Sequence, residues 1–299
     1  MTTSVRQTLS YLQKLFEQHG LRPKNKLGQN FLIDLNLIEL IVRSAELTKQ
    51  DLVLEAGTGT GSLTSQLADA AGHVVSVEVD PGYHALAAEI LDGKPGVTLL
   101  SADILKNKNE LNPDVMSLLR ERLGSGLSRL KLVSNLPYVV ATPVVSNLLL
   151  ADLPVERMVV TVQWEIAARL TAPPGCKDYS ALSVLVQSLA DVEILRRLGP
   201  SVFWPRPKVE SAIVSVRPSA AKRAHVGDVT RFRFFLRDLY VHRRKNLRGA
   251  LSGWPSGRRD KSVVDSRLAA LGIPGTIRAE ELNIEDHLRL AQAFADLVG

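Results

Sequence analysis

Two groups of residues in this 299-residue chain have types and spacings that can do chemistry. The first is Glu55-Ala56-Gly57-Thr58-Gly59-Thr60-Gly61, between a short apolar run and an amphipathic stretch. Glycines between a strand and a helix allow a tight turn and let a ligand approach the backbone. Their spacing is Gly-x-Gly-x-Gly, whereas pyrophosphate binding uses Gly-x-Gly-x-x-Gly, and no Gly-Lys-Ser/Thr follows to cradle nucleotide phosphates. Glu78 stands 17 residues after Gly61 at the tip of the next apolar run, where its carboxylate can accept from both hydroxyls of a ribose. Asp103 ends the third run, where it can accept from an adenine amino group. The set suits a nucleoside ligand without a pyrophosphate, and S-adenosylmethionine (SAM) is the candidate. A dehydrogenase is the rival, and the glycine spacing weighs against it. An ordinary Gly-rich turn, with Glu78 and Asp103 capping helices, is the plainer alternative. Three features at consecutive strand tips weigh against that.

The second group is Asn135-Leu136-Pro137-Tyr138, after the fourth apolar run. An exocyclic amine on adenine is a weak nucleophile because its lone pair is delocalised into the ring. Two acceptors aimed at its hydrogens, the Asn135 side-chain oxygen and the Leu136 carbonyl, draw the nitrogen towards tetrahedral geometry. The lone pair is then localised towards a methyl sulfonium. Pro137 stiffens the turn and removes a competing donor, and Tyr138 offers a flat face to an extruded base. The sulfonium charge drives displacement, so no strong general base is required and the proton can leave to water. Alone, these four residues are just a loop; beyond a SAM-type glycine turn they read as base methylation.

Such residues meet only if their runs lie side by side. Residues 52–56, 74–79, 97–100, 131–134 and 158–162 read as strands, with helices through residue 71 and over 81–91 and 142–150 between them. Strands alternating with helices predict an α/β fold with a parallel sheet covered on both faces. Residues 192–195 and 212–216 add two strands, antiparallel at one edge, and 106–129 read as a mixed loop and helix insertion. Beyond Pro218 the pattern is helical, over 229–248, 261–271 and 284–298. A boundary near 217–228 divides a catalytic domain, 1–217 with its N-terminal arm, from a small helical domain, 218–299.

Net charge is +6, unevenly spread: +4 over residues 1–30, −5 over 31–150, 0 over 151–216, +9 over 217–260 and −2 beyond. Localised positive charge marks a phosphate-binding surface, although a solvated helix face is the commoner meaning of a charge run. One cysteine, Cys176, excludes an internal disulfide and a cysteine-cluster zinc site. The histidines show no ligand spacing, so no metal is expected. No apolar run approaches the roughly 18 residues of a membrane span, and residues 1–20 lack the apolar core of a signal peptide. The expectation is a cytoplasmic protein without a membrane partner and, lacking an obvious dimerisation stripe, a monomer.

With these motifs the chain resembles the small-subunit rRNA adenine dimethyltransferases, the KsgA family, over nearly its whole length. Lys26-Leu27-Gly28-Gln29-Asn30-Phe31-Leu32 is similar to the family's N-terminal cofactor motif. The resemblance implies that Asn30 and Leu32 contact SAM while Gln29 and Phe31 close over it. It implies cofactor contacts also for Gly57, Glu78, Asp103 and Asn135, in a class I SAM-dependent, Rossmann-like methyltransferase fold with a seven-stranded sheet. Phe203-Trp204-Pro205-Arg206-Pro207-Lys208-Val209-Glu210-Ser211 resembles a family element whose Phe, here Phe203, packs on the target base opposite Tyr138. Arg243-Arg244-Lys245-Asn246-Leu247 and Arg278-Ala279-Glu280-Glu281-Leu282 resemble the helical RNA-binding domain. The implied activity is SAM-dependent N6-dimethylation of two adjacent adenines in a hairpin loop near the 3′ end of 16S rRNA, in the assembling (pre-30S) small subunit. An unstacked loop is where a protein best reads RNA sequence. Arg231, Arg233, Arg237, Arg243, Arg244, Lys245 and Arg248 are the candidate phosphate contacts. Gln163-Trp164-Glu165 departs from the family, which usually carries Lys at the middle position; an aromatic in an apolar strand is expected in the core. Two alternatives stay open: a large-subunit adenine methylase of the erythromycin-resistance type, and an RNA-binding assembly factor with the same fold.

Overall fold

A computed structural model describes residues 9–255 and 257–297, so residues 1–8 of the expected N-terminal arm lie outside the described part. Seven strands form one sheet: β1 (Asp51–Ala56), β2 (His73–Glu78), β3 (Val97–Ser101), β4 (Arg129–Asn135), β5 (Val155–Gln163), β6 (Ala190–Leu198) and β7 (Ser211–Pro218). Their order is β3-β2-β1-β4-β5-β7-β6. The first five pair in parallel, whereas β7 runs antiparallel to β5 with Ser211 opposite Gln163. Every residue of β1 is buried, Asp51 and Glu55 included, which is why its Leu52-Val53-Leu54 is an unbroken apolar run and not an alternation. Strand order reverses between β1 and β4. At such a switch point the carboxyl ends of the strands open a crevice, and the glycine turn and the Asn-Leu-Pro-Tyr turn both leave from there.

The helices beside this sheet are α1 (Leu9–Gln18), α2 (Leu35–Ser44), α3 (Ser62–Ala70), α4 (Pro81–Ile90), α5 (Pro113–Gly124), α6 (Tyr138–Leu150) and α7 (Trp164–Thr171). Asp34, Asp80 and Asn112 start α2, α4 and α5 by accepting the second amide beyond each cap. Ile38 and Ile41 of α2 and Leu63 and Leu67 of α3 pack on Val53, Val133, Val159 and Ile213 of the sheet. Three local expectations change. α1 was not anticipated; its Leu12, Leu15 and Phe16 are buried among Tyr83, Leu86, Phe31 and Trp204. The stretch from 106 to 129 holds a small hairpin, Leu105–Asn107 with Glu110–Leu111, and then α5. Asp103 lies two residues past β3, in a turn where its Oδ1 accepts from the Leu105 amide at 2.9 Å.

By compactness the chain divides into two units. One is the stretch up to Ala167 with Glu193–Arg217; the other is Ala168–Val192 with the stretch from Pro218 onward. The expected single break does not contain the excursion of residues 168–192. That segment carries α8 (Ala181–Gln187), which packs against α10 (Val229–Val241) and α13 (Ile284–Ala293). The second unit is completed by α9 (Ala220–Val226), α11 (Leu247–Ser252) and α12 (Lys261–Leu271). The helix expected over 229–248 is broken at 242–246, because Asn246 caps a new start by accepting from the Gly249 amide at 2.9 Å. The last helix ends at Ala293 and a short 3-10 turn, Ala295–Leu297, follows; residue 298 lies outside the described residues.

Candidate active site

The carboxyl ends of β1, β2, β3 and β4 face one cavity. Of the expected cofactor residues, Gln29, Asn30, Leu32, Gly57, Gly59, Glu78, Asp103 and Asn135 line it, as does Pro137 of the acceptor turn. Gly57 adopts φ +89°, and a Cβ there would stand 3.1 Å from the Pro137 ring, so the two turns are built against each other. Gly61 is not among the lining residues. It is the left-handed cap that starts α3, so its role is to make the turn.

Glu78 accepts from the Gly59 amide (2.9 Å) and the Asp80 amide (2.9 Å), one on each oxygen. Burial raises its carboxyl above the usual range, and the two amides only partly offset that. The glycine turn is thus tied to the acid at the tip of β2, and each oxygen keeps a second lone pair for a ligand hydroxyl.

Asn135 ends β4 with its Nδ2 donating to the Asn30 carbonyl at 2.9 Å. A carbonyl can only accept, so the amide nitrogen must face Asn30 and the oxygen must point the other way. Pro137 caps α6, and the side chain of Leu136 is buried. Tyr138 holds its ring through a phenol–Ser211 hydroxyl hydrogen bond of 2.5 Å, and burial raises its hydroxyl pKa. Tyr138 is half-buried, and neither it nor Leu136 is among the residues lining the cavity.

The segment from Lys24 to Leu32 is fastened across the cavity by a residue that sequence reasoning missed. The Asp80 carboxylate accepts from Lys24 Nζ (2.7 Å), Gln29 Nε2 (3.3 Å) and the Gly82 amide (3.0 Å). Burial alone would raise the Asp80 carboxyl; those hydrogen bonds and the Lys24 charge outweigh it and hold the group below its usual range. In the sequence Asp80 shows only as a helix cap before Pro81. Leu12, Tyr83, Ile104 and Val139 also line the cavity and were not singled out, since single apolar residues carry no motif.

Two aromatic expectations are corrected. Phe203 is 1% exposed, inside the core with Ile38, Val133 and Ile213, and lines no part of the cavity. Its two-residue strand pairs with Phe31–Leu32, Leu32 opposite Phe203, which turns the ring inward. It is not placed to pack on a base opposite Tyr138. Trp164 is not a core residue either: it is half-buried at the start of α7, with the Arg197 guanidinium 4.1 Å above its ring.

In the second unit the seven expected phosphate contacts differ. Arg231 donates to the Ala295 carbonyl, Arg237 pairs with Asp238 (2.6 Å), Arg243 with Glu280 (2.7 Å) and Arg248 with Asp265 (2.6 Å). Arg233 is half-buried, and burial followed by the nearby Arg237 charge lowers its pKa. Arg244 and Lys245 are exposed, and their side chains have no hydrogen-bond or ion-pair partner among the described residues.

Residues 20–296 match the family model for ribosomal RNA adenine dimethylase. The ribosomal RNA small subunit methyltransferase A of Pediococcus pentosaceus is 39% identical, covering 92% of this chain and 91% of that protein. The protein of the same name from Pelotomaculum thermopropionicum is also 39% identical, over 96% of this chain and 97% of its own. Among solved structures, a dimethyladenosine transferase from Plasmodium falciparum superposes with a TM-score of 0.72 at 21% identity, over 88% of this chain and 97% of that one, a likeness of fold. The 23S rRNA methyltransferase ErmE superposes at 0.63 with 28% identity, over 89% and 100%. A switch-point cavity with a glycine turn, a ribose-height acid and an acceptor turn thus coincides with sequence similarity end to end, and the chain belongs to the ribosomal RNA adenine dimethylase family.

Proposed function

We propose that this chain dimethylates N6 of two adjacent adenosines in small-subunit (16S) rRNA, in the 3′-terminal hairpin loop of an assembling (pre-30S) subunit, with SAM as methyl donor. The observation that carries the reading is the orientation of Asn135, whose nitrogen is held by Asn30 so that its oxygen is left as an acceptor. The cavity suits SAM on its own features: a carboxylate with lone pairs to spare at the tip of β2, apolar walls from Leu63, Val79 and Ile104, and backbone exposed at Gly57 and Gly59. Gln29, Asn30, Leu32, Gly57, Gly59, Glu78 and Asp103 would hold it. When bound, SAM supplies a methyl group on a positively charged sulfur.

The protein's own contribution is to the nucleophile. The Asn135 oxygen and the Leu136 carbonyl accept the two amine hydrogens of the adenine, pulling its lone pair out of the ring. Pro137, wedged against Gly57, keeps both acceptors in register with the cofactor turn. Tyr138, pinned by Ser211, presents its face to the extruded base. Arg244 and Lys245 are the cations most available for the RNA backbone. No helix among the described residues is long and apolar enough to cross a membrane. We place the activity in the cytoplasm, where subunits assemble, with the protein acting as a monomer.

The test is incubation with SAM and small subunits lacking dimethyladenosine, followed by mass spectrometry of both rRNAs. Dimethyladenosine in the 3′ hairpin of the small-subunit RNA is expected. The same product confined to large-subunit RNA would select the erythromycin-resistance type of reaction. Tight RNA binding without product would select a pure assembly factor.

A further inference from the structure

Beside the acceptor turn lies a second construction that the reaction above does not use. Arg197 of β6 has a side chain that is 55% exposed, yet it is held on two sides. Its guanidinium lies over the Trp164 indole at 4.1 Å, and its Nε and Nη2 donate to the two oxygens of Glu210 at 3.2 and 2.5 Å. Glu210 in turn accepts the Trp164 amide on its backbone carbonyl at 2.9 Å. Exposed ion pairs contribute roughly 0–1 kcal/mol, so stability does not account for an arginine held by both a ring and a carboxylate. What the arrangement makes is a flat cation backed by an aromatic ring, with the opposite face towards solvent.

Its location gives that face a use. Glu210 directly precedes Ser211, whose hydroxyl holds the Tyr138 phenol, and Trp164 directly follows Gln163, the residue paired with Ser211. Trp164 and Glu210 are therefore each one residue along the chain from the Gln163–Ser211 pair, and Ser211 holds the ring proposed to receive the target base. Arg206 and Lys208, just before Glu210 in the chain, are exposed, and no ion pair joins them to any described residue. The zero net charge of residues 151–216 hides these cations behind an equal number of acids.

We infer that the outer face of the Arg197 guanidinium is a stacking site for an unpaired nucleobase of the substrate RNA, the neighbour of the base on Tyr138, with Arg206 and Lys208 on the adjoining phosphates. Unpaired bases stack on guanidinium planes as well as on aromatic rings, and the Trp164 backing and the Glu210 bonds keep the plane set before RNA arrives. The inference rests on the rRNA-adenosine reading and adds a grip by the catalytic unit itself, separate from the basic helices.

The experiment compares wild type with R197A, R197K, W164A and W164F, all as full chains, on small subunits lacking dimethyladenosine. It reads KM and kcat for methylation, SAM affinity by calorimetry, and chemical protection of the bases flanking the target with a non-reactive SAM analogue bound. R197A and W164A are expected to raise KM about tenfold and lose protection of one flanking base, the size of a lost base stack. Their kcat and SAM affinity stay at the wild-type level. W164F keeps a ring under the guanidinium and stays near wild type, while R197K, with the charge but no plane, behaves as R197A. Unchanged KM and protection in R197A, or full rescue by R197K, overturns the stacking site. If wild type itself forms no dimethyladenosine, the failure belongs to the proposed function, and this inference falls with it.

Discussion

Glu55 lies directly beneath the glycine turn and offers the sharpest test of how that turn is held. Its Oε2 accepts from the Thr64 hydroxyl (2.5 Å) and the Ser76 hydroxyl (2.7 Å), and Ser76 is hydrogen-bonded to Thr58 within the turn (2.6 Å). Burial pushes the carboxyl up from 4.5 to about 8 against those two hydrogen bonds, with the Glu78 charge adding to the rise. The sign follows. A carboxyl whose folded pKa is raised contributes stability that is fully present below the unfolded value and is lost as pH climbs through the folded one. At about 1.4 kcal/mol per unit, the rise from 4.5 to about 8 makes this group cost about 4 kcal/mol by pH 8.

Glu55→Gln keeps the shape and an oxygen acceptor but cannot ionise. Its amide brings two new buried donors, which adds an offset on the order of 1–3 kcal/mol that does not vary with pH. The slope is therefore the diagnostic. Urea unfolding between about pH 5 and pH 8 should show the difference between E55Q and wild type moving in favour of E55Q by about 3–4 kcal/mol. SAM affinity of wild type should fall over the upper part of that range, as charge appears under Thr58 and beside Glu78, while that of E55Q stays level. Parallel stability curves would mean that Glu55 is ionised in the folded protein and that the turn rests on a charge.

Asn135→Ala should lower kcat by about 10²–10³, the loss typical of one transition-state hydrogen bond, with RNA binding largely intact; unaltered turnover would reject Asn135 as the acceptor. Lys24→Ala should weaken SAM affinity and lower kcat together, because its partner Asp80 also holds Gln29; a loss in SAM affinity alone would reject that linkage. His287 is buried, its Nδ1 on the Asn283 carbonyl and its Nε2 facing the Tyr240 phenol, and burial lowers its pKa from 6.5 to about 4. The unfolded chain takes up that proton first, so stability is present above 6.5 and falls by about 3 kcal/mol on the way to about 4; a ring titrating by NMR near 6.5 would refute this. Charge reversal of Arg244 and Lys245 should flatten the salt dependence of RNA binding by about one per lost phosphate contact. Arg237→Glu should do less, because Asp238 already faces that charge; equal effects would show that the ion pairs open on RNA.

The central strands were legible because a parallel strand buried on both faces is mostly apolar, as with Leu52-Val53-Leu54 in β1 and Leu130, Leu132 and Val133 in β4, even though Glu55 and Lys131 are buried beside them. Glu78 and Asn135 were legible for a related reason, since a polar residue closing such a run must stand at the carboxyl edge. Phe203 was not. Its direction is set by a two-residue ladder with Phe31 and Leu32, far away in the chain, which no local pattern announces. The break in the helix after Val241 was missed because Asn246 reads equally well inside a polar helical face and as a cap. Charge counting overstated the free charge of the basic stretch, since a sum along the chain cannot see Glu280 and Asp265, which answer Arg243 and Arg248 from other elements.

What the sequence presents as two motifs, one for the cofactor and one for the base, the structure makes into a single object. The segment around Gly28–Leu32 takes part in both. Its Asn30 carbonyl sets the direction of the Asn135 oxygen, its Gln29 reaches the acid that also feeds its amide to Glu78, and a Cβ on its Gly28 would stand 3.2 Å from the Tyr138 nitrogen. Phe31 lies close enough to Gly59 that a Cβ there would come within 3.0 Å of its ring. An amide side chain has two near-identical ends, and in a free turn nothing would choose between them. Here the choice is made by a backbone carbonyl 105 residues away in sequence, on the same segment that walls the cofactor cavity. The direction proposed for the Asn135 oxygen therefore depends on the Asn30 carbonyl, so the wall of the cofactor cavity and the turn that follows β4 are tied by one hydrogen bond.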